Sequence, residues 1–141
     1  MTKAIGVILA GGLSSRMRGG DKALLALGGV SLIGRVKVRL NKQINTVVLN
    51  ANGDPSRFDG LGVPVVNDTV AGFVGPLAGV LAGMDYAALE GATHIVTVAT
   101  DTPFFPRDFV AQLDATGADL CMAVTPDSER GIARHPTFGK W

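Results

Sequence analysis

Apolar, β-branched runs alternate along this chain with stretches of helical spacing. Ala4–Leu9, Asn45–Leu49, Val63–Val66, His94–Ala99 and Leu120–Val124 read as strands, and a further strand starts near Pro136. Each run is continuously apolar, which suits strands covered on both faces. Ser31 reads as an N-cap, with Leu32, Ile33, Val36 and Leu40 forming one helical face. A second helix is predicted over Pro76 to Leu89, with Pro76 in its first turn, and a third over Pro106 to Leu113. Strand and helix in alternation predict a mostly parallel α/β sheet. The connections Gly28-Gly29, Gly60-Leu-Gly62 and Thr116-Gly117 are short, so residues 1–141 read as one domain without a linker.

Composition narrows the classes. A chain of 141 residues with 47% hydrophobic content supports an ordinary core. No apolar run is as long as a membrane span, and the N-terminus has no cleavable leader pattern. One cysteine, Cys121, excludes an internal disulfide and suits a reducing compartment, so the expected location is the cytoplasm. A net charge of +1 speaks against broad nucleic-acid binding, and one Tyr and one Trp offer no stacking platform. Nineteen glycines without a period are explained by turns.

The candidate chemistry starts where the first strand ends. Gly11-Gly12 follow Leu9-Ala10, and Arg16, Arg18 and Lys22 lie just beyond them. A glycine turn with exposed amides and clustered cations can cradle a polyphosphate. Gly11-Gly12 alone would equally make a plain strand-to-helix turn. Neither a P-loop nor the dinucleotide fingerprint fits, because Lys22 lies between Asp21 and Ala23 and Leu13 breaks the glycine spacing. Ser14 and Ser15 have no nucleophile's partners and suit phosphate donation.

Three further polar residues end apolar runs: Asn50, Asp68 and Asp101. In an open α/β sheet, ligands bind outside the carboxyl ends of the strands, so parallel strands would bring all three beside the glycine turn. Asp101 could hold Mg²⁺ between phosphate oxygens or cap the following helix. Asn50 and Asp68 are each ordinary turn residues when taken alone. Gly75-Pro-Leu-Ala-Gly79 could offer backbone groups to a base or simply start a helix. His94 reads as a surface residue before its strand, and His135 could face the site without metal-ligand spacing around it. Cys121, mid-strand, reads as a buried small hydrophobe.

Together, Leu9-Ala-Gly-Gly12, Arg16-Met17, Asp21-Lys22, Val65-Val-Asn-Asp68, Gly75-Pro-Leu-Ala-Gly79, Asp101-Thr-Pro103 and His135-Pro-Thr137 resemble the molybdenum cofactor guanylyltransferase family. The resemblance runs from Ile5 to about Phe138. It implies the nucleotide-diphospho-sugar transferase fold, a Rossmann-like three-layer α/β/α arrangement. It also implies transfer of GMP from GTP to the terminal phosphate of molybdenum-molybdopterin, with release of pyrophosphate. Under it, Leu9, Ala10, Gly11 and Gly12 would contact the nucleotide, Lys22 would bind phosphate, and Asn50 and Asp68 would hold the nucleoside. Asp101 would bind GTP through Mg²⁺, the implied cofactor, and Arg16 is added as a phosphate ligand. Partners of that chemistry are GTP, molybdenum-molybdopterin, molybdenum-insertion proteins and apo-molybdoenzymes, with no nucleic acid or membrane. A monomer or weak homo-oligomer is expected.

Two departures stand against this pattern. The family commonly has Met-Gly where this chain has Met17-Arg18. Its members also extend roughly fifty residues further, with an N-x-N-T-P-type motif for the acceptor and metal sites. The chain therefore reads as incomplete at its C-terminus, with an apolar sheet face left exposed and self-association expected. The alternatives are a cytidylyltransferase acting on the same cofactor and a nucleotide-binding fragment without catalysis. A sugar-phosphate nucleotidyltransferase and a nicotinamide-dependent oxidoreductase fit less well, the latter for want of its fingerprint.

Overall fold

The structure, a computed structural model, describes residues 3–10, 16–17, 20–21, 24, 26–70 and 75–141, with the backbone alone at 16–17 and 20–21. Its centre is a six-stranded sheet. Strand β1 (Ala4–Leu9) is flanked by β6 (Thr46–Asn50) on one side and β8 (His94–Ala99) on the other, both parallel to it. Strand β7 (Val65–Val66) extends the parallel set beyond β6. On the far side, β10 (Gly131–Lys140) runs antiparallel to β8 and pairs with β9 (Cys121–Asp127) as a hairpin, giving the order β7-β6-β1-β8-β10-β9. The short pairs β2 (Arg16–Met17) with β3 (Gly20–Asp21), and β4 (Ala26–Leu27) with β5 (Val30–Ser31), lie outside this sheet.

Alternation of side chains along β1 divides the core between two faces. Ile8 joins Ile33, Val36 and Leu40 of helix α1 (Leu32–Asn41) and Phe109, Val110 and Leu113 of α3 (Phe109–Ala115) in one buried cluster. Ile5, Val7 and Leu9 turn to the other face, against Val80 and Ala87 of α2 (Pro76–Leu89). Helices thus lie on both faces of a mostly parallel sheet, the three-layer arrangement that the family resemblance implies. Among the described residues no helix is long and apolar enough to cross a membrane.

Ser31 caps α1 as its sequence predicts, its hydroxyl accepting the Gly34 N–H at 3.1 Å. The third helix starts three residues later than predicted. Arg39 Nη1 donates to the Phe105 carbonyl at 2.8 Å and Gln43 Nε2 to the Pro106 carbonyl at 3.0 Å. The Pro106 carbonyl also accepts the Phe109 N–H at 3.2 Å, so the segment from Pro106 forms a turn that leads into the helix. Gln43 Oε1 then accepts the Val110 N–H at 2.9 Å, so a side chain from the end of α1 serves the first turn of α3. The predicted run Val63–Val66 keeps only Val65–Val66 as strand, because Pro64 has no N–H for a ladder. Its carbonyl still accepts the Leu49 N–H at 2.9 Å. The last strand begins at Gly131 rather than near Pro136, since β9 runs on to Asp127 and pairs with its whole first half.

Two single-residue readings are corrected. His94 is not a surface residue before the strand; it is the first residue of β8, paired with Ala4, and its side chain is only 14% exposed. The Asp114 carboxylate covers it, 3.9 Å from Nε2. Cys121 opens β9 instead of lying mid-strand and is half-buried against the α3 cluster.

Candidate functional site

The parallel registers align Leu9 with Asn50 on one side and with Ala99 on the other. The carboxyl ends of β6, β1 and β8 therefore finish level, and β7 ends at Val66 opposite Asn50. Ala10, the residue after β1, is buried and donates its N–H to the Asn50 carbonyl at 2.8 Å. This edge is where ligands sit in open α/β sheets.

Asn50 is the keystone of one half of the edge. β6 begins and ends one residue later than the sequence suggests, so Asn50 is its last strand residue, and its side chain is buried rather than a turn residue. A buried amide must find partners. Its Nδ2 donates to the Val66 carbonyl at 3.2 Å and to Asp68 Oδ1 at 2.9 Å. Asn52, two residues on, completes the clamp: its Nδ2 donates to Asp68 Oδ2 at 2.9 Å, and its Oδ1 accepts the Asp68 N–H at 2.9 Å. Both carboxylate oxygens of Asp68 are thus fixed by amides, while each retains acceptor capacity for a ligand's N–H or O–H. The contribution of Asn52 was missed from sequence. The signal was the repeat Asn-Ala-Asn, which returns an amide toward the same side at the end of a strand.

Helix α2 closes over this clamp. Gly75 has φ +67° at its N-cap position, a conformation in which glycine is unstrained, and Pro76 follows at the first helical position. The second glycine of Gly75–Gly79 has a different purpose. A Cβ at Gly79 would overlap Asn50 Oδ1 and come within 3.0 Å of both Asn50 Cγ and Leu9 Cδ2. Gly79 lets the helix backbone rest directly on the amide that orients Asp68.

Asp101 occupies the other half of the edge. It follows Ala99 and the buried Thr100 at the end of β8, and its side chain is exposed. β6 and β1 lie between β7 and β8, so Asp68 and Asp101 follow strands three intervals, roughly 14 Å, apart in the sheet. No cluster of three or more His, Cys, Asp or Glu occurs among the described residues. His135 is held within the hairpin, its Nε2 2.9 Å from Thr125 Oγ1. Gly11, Gly12, Ser14, Ser15, Arg18 and Lys22 lie outside the described residues, as does the side chain of Arg16.

An α/β/α sheet with a polar clamp and a separate carboxylate at its carboxyl edge places this chain among the open α/β proteins that take a ligand at that edge. Residues 6–140 match the MobA-like NTP transferase domain, and the chain belongs to that family. It is 48% identical over 137 residues to the molybdenum cofactor guanylyltransferase of Mesorhizobium japonicum, covering 96% of this chain and 65% of that protein. It is 47% identical to the enzyme of the same name from a Bradyrhizobium species, covering 99% of this chain and 66% of the relative. The chain thus spans just under two thirds of the length of these relatives. In fold it is similar to molybdopterin-guanine dinucleotide biosynthesis protein A from Archaeoglobus fulgidus, with a TM-score of 0.66, 23% identity, and coverage of 97% of this chain and 66% of that one.

Proposed function

We propose that this edge binds GTP and transfers its GMP to the terminal phosphate of molybdenum-molybdopterin, releasing pyrophosphate. The observation that carries the reading is the Asn50–Asn52–Asp68 clamp beneath Gly79, at the same carboxyl edge of the sheet after which Asp101 follows β8. A carboxylate whose oxygens are fixed by two amides is an acceptor pair suited to guanine N–H or ribose O–H donors. The relatives' names supply the remaining specificity.

In the reaction, an acceptor phosphate oxygen attacks the α-phosphorus, and the bond from that phosphorus to the bridging oxygen breaks. The electron pair leaves on pyrophosphate. An ionised phosphate is already a nucleophile, so no general base is needed, and catalysis reduces to alignment and charge neutralisation. Asp68 holds the nucleoside end, and the buried Asn50 contributes by bracing it. Leu9, Ala10, Gly11 and Gly12 approach the nucleotide with backbone, and Lys22 and Arg16 offset charge gathering on the phosphates. Asp101 suits Mg²⁺, because a single exposed carboxylate with phosphate oxygens and water is this ion's ordinary ligand set. Bound there, the ion would supply Lewis-acid stabilisation of the phosphate oxygens.

Titration calorimetry with GTP and CTP in the presence of Mg²⁺ tests the base assignment. Preferential GTP binding, weakened in Asp68→Ala, is expected; equal or tighter CTP binding overturns it in favour of a cytidylyltransferase. Single-turnover pyrophosphate release with loaded molybdopterin tests transfer, and GTP binding without release reduces the chain to a binding module.

A further inference from the structure

On the opposite helical layer from α2, a cleft of about 310 Å³ lies between the outer side of α1 and the segment that follows Asp101. Arg35, Arg39 and Lys42 line it from α1, and Arg107 from the facing segment, with Val38 and Phe104 among its apolar walls. Among the described residues no acidic side chain lines it. The nearest carboxylate in sequence, Asp108, is turned along α3, accepting from Gln112 Nε2 at 2.7 Å.

Four like charges around one cleft repel one another, and an anion between them would relieve that repulsion. Two of the four are also held in place. Arg35 Nε donates to the Leu27 carbonyl at 2.7 Å, and Arg39 Nη1 to the Phe105 carbonyl at 2.8 Å. A guanidinium anchored by one side of its fork retains free N–H groups and loses little further freedom on meeting a phosphate. The cleft differs in this from a scatter of solvated lysines.

We infer that this cleft is a second anion site, distinct from the Asp68 clamp, that takes a compact polyphosphate. Its cations are too many for one carboxylate and match the charge of a di- or triphosphate. The two sources of such a group are free pyrophosphate and a nucleotide's phosphate tail. Phe104 distinguishes them: the Arg39 guanidinium lies 5.9 Å from its ring centroid, yet the residue is 66% exposed at the rim, which leaves ring surface on which a base could pack. Pro103 and Phe104 are two and three residues beyond Asp101, so a ligand here would grip the segment that carries that carboxylate.

Amide chemical shifts of the chain, recorded while pyrophosphate and then GTP are added, test the site. Saturable shifts at residues 35–42 and 103–107 are expected. Lys42→Gln combined with Arg107→Gln should weaken them about tenfold, the scale of losing charge-assisted contacts. Restoring charge with Arg107→Lys should recover part of the loss. Phe104→Ala should weaken GTP alone if a nucleotide is the source, and neither probe if free pyrophosphate is. Shifts confined to residues 50–52 and 66–68, or non-saturating shifts that sodium chloride reproduces at equal ionic strength, overturn the site. Because the reporting residues differ, failure here and failure of GTP at the Asp68 clamp are separately visible.

Discussion

Replacing Gly79 by Ala tests the link between helix packing and the nucleotide clamp. The added methyl meets Asn50 Oδ1, and Asn50 Cγ and Leu9 Cδ2 at 3.0 Å. The Leu9 methyl can rotate away, but Asn50 is tied to Val66 and Asp68 and is 2% exposed. Overpacking of this kind costs about 2 kcal/mol. Displacing Asn50 from Asp68 costs about 1 kcal/mol more. Alanine's higher helix propensity returns about 1 kcal/mol. The net expectation is a loss of about 2 kcal/mol, read by urea unfolding as a lower midpoint at unchanged slope. GTP affinity should fall about tenfold, or about 1.4 kcal/mol, because Asp68 loses one of its two orienting amides. Gly83→Ala is the control. Its Cβ meets Val7 Cγ2 at 2.8 Å and Ile95 Cδ1 at 3.3 Å, far from Asn50 in contact terms, so it should destabilise without changing affinity. A Gly79→Ala protein as stable as the parent with unchanged affinity refutes the reasoning. So does an equal affinity loss in both variants, which would make the clamp's contact with α2 irrelevant.

Asp101→Ala removes an exposed carboxylate and should leave the urea midpoint unchanged while abolishing GMP transfer; normal turnover would remove Asp101 from the metal assignment. Asp54, the N-cap of the 3-10 segment Pro55–Leu61, has its carboxyl held below the ordinary value of 3.8, chiefly by the Ser56 N–H at 2.9 Å. A depressed folded pKa contributes stability above the unfolded value and loses it as pH falls through the folded one, so carboxyl NMR should place Asp54 below 3.8. A value at or above it would remove the cap's contribution. Leu77, Leu81 and Met84 are exposed along α2, and Met122, Val124 and Ile132 are exposed on the β9–β10 hairpin. We expect concentration-dependent self-association in light scattering, reduced by Leu81→Gln with Met84→Gln, and a monomer at all concentrations would contradict it.

The centre of the fold was legible because β1, β6 and β8 are buried on both faces, whereas β7, β9 and most of β10 are half-buried or exposed. Ala4–Leu9 and His94–Ala99 agree with the sequence reading residue for residue, as does α2, whose start is marked by Gly75-Pro76. The boundaries that moved are those set by long-range partners. α3 follows a turn from Pro106 to Phe109 that is tied to the end of α1 by Arg39 and Gln43, sixty or more residues away in sequence. His94 is covered because the ladder extends to Ala4 and Asp114 returns over it. Neither partner is written into the local pattern.

The site shows the same division more sharply. Strand-end polar residues can be picked out of a sequence, but an Asn or Asp closing an apolar run is by itself as well explained by a turn. What such residues do depends on which strands become neighbours. Because β6 lies between β7 and β1, Asn50 reaches Asp68 across one strand interval and becomes its support, while Asp101, two residues beyond β8, is exposed. Three residues of similar appearance in the sequence thus divide into a buried brace, the carboxylate that it orients, and a separate exposed carboxylate. Gly79 follows from that division: a glycine in the body of a helix costs stability, and it is retained where the helix must lie against the brace. The strand order, more than any single motif, brings Asn50 to Asp68 and leaves Asp101 to follow a different strand of the same edge.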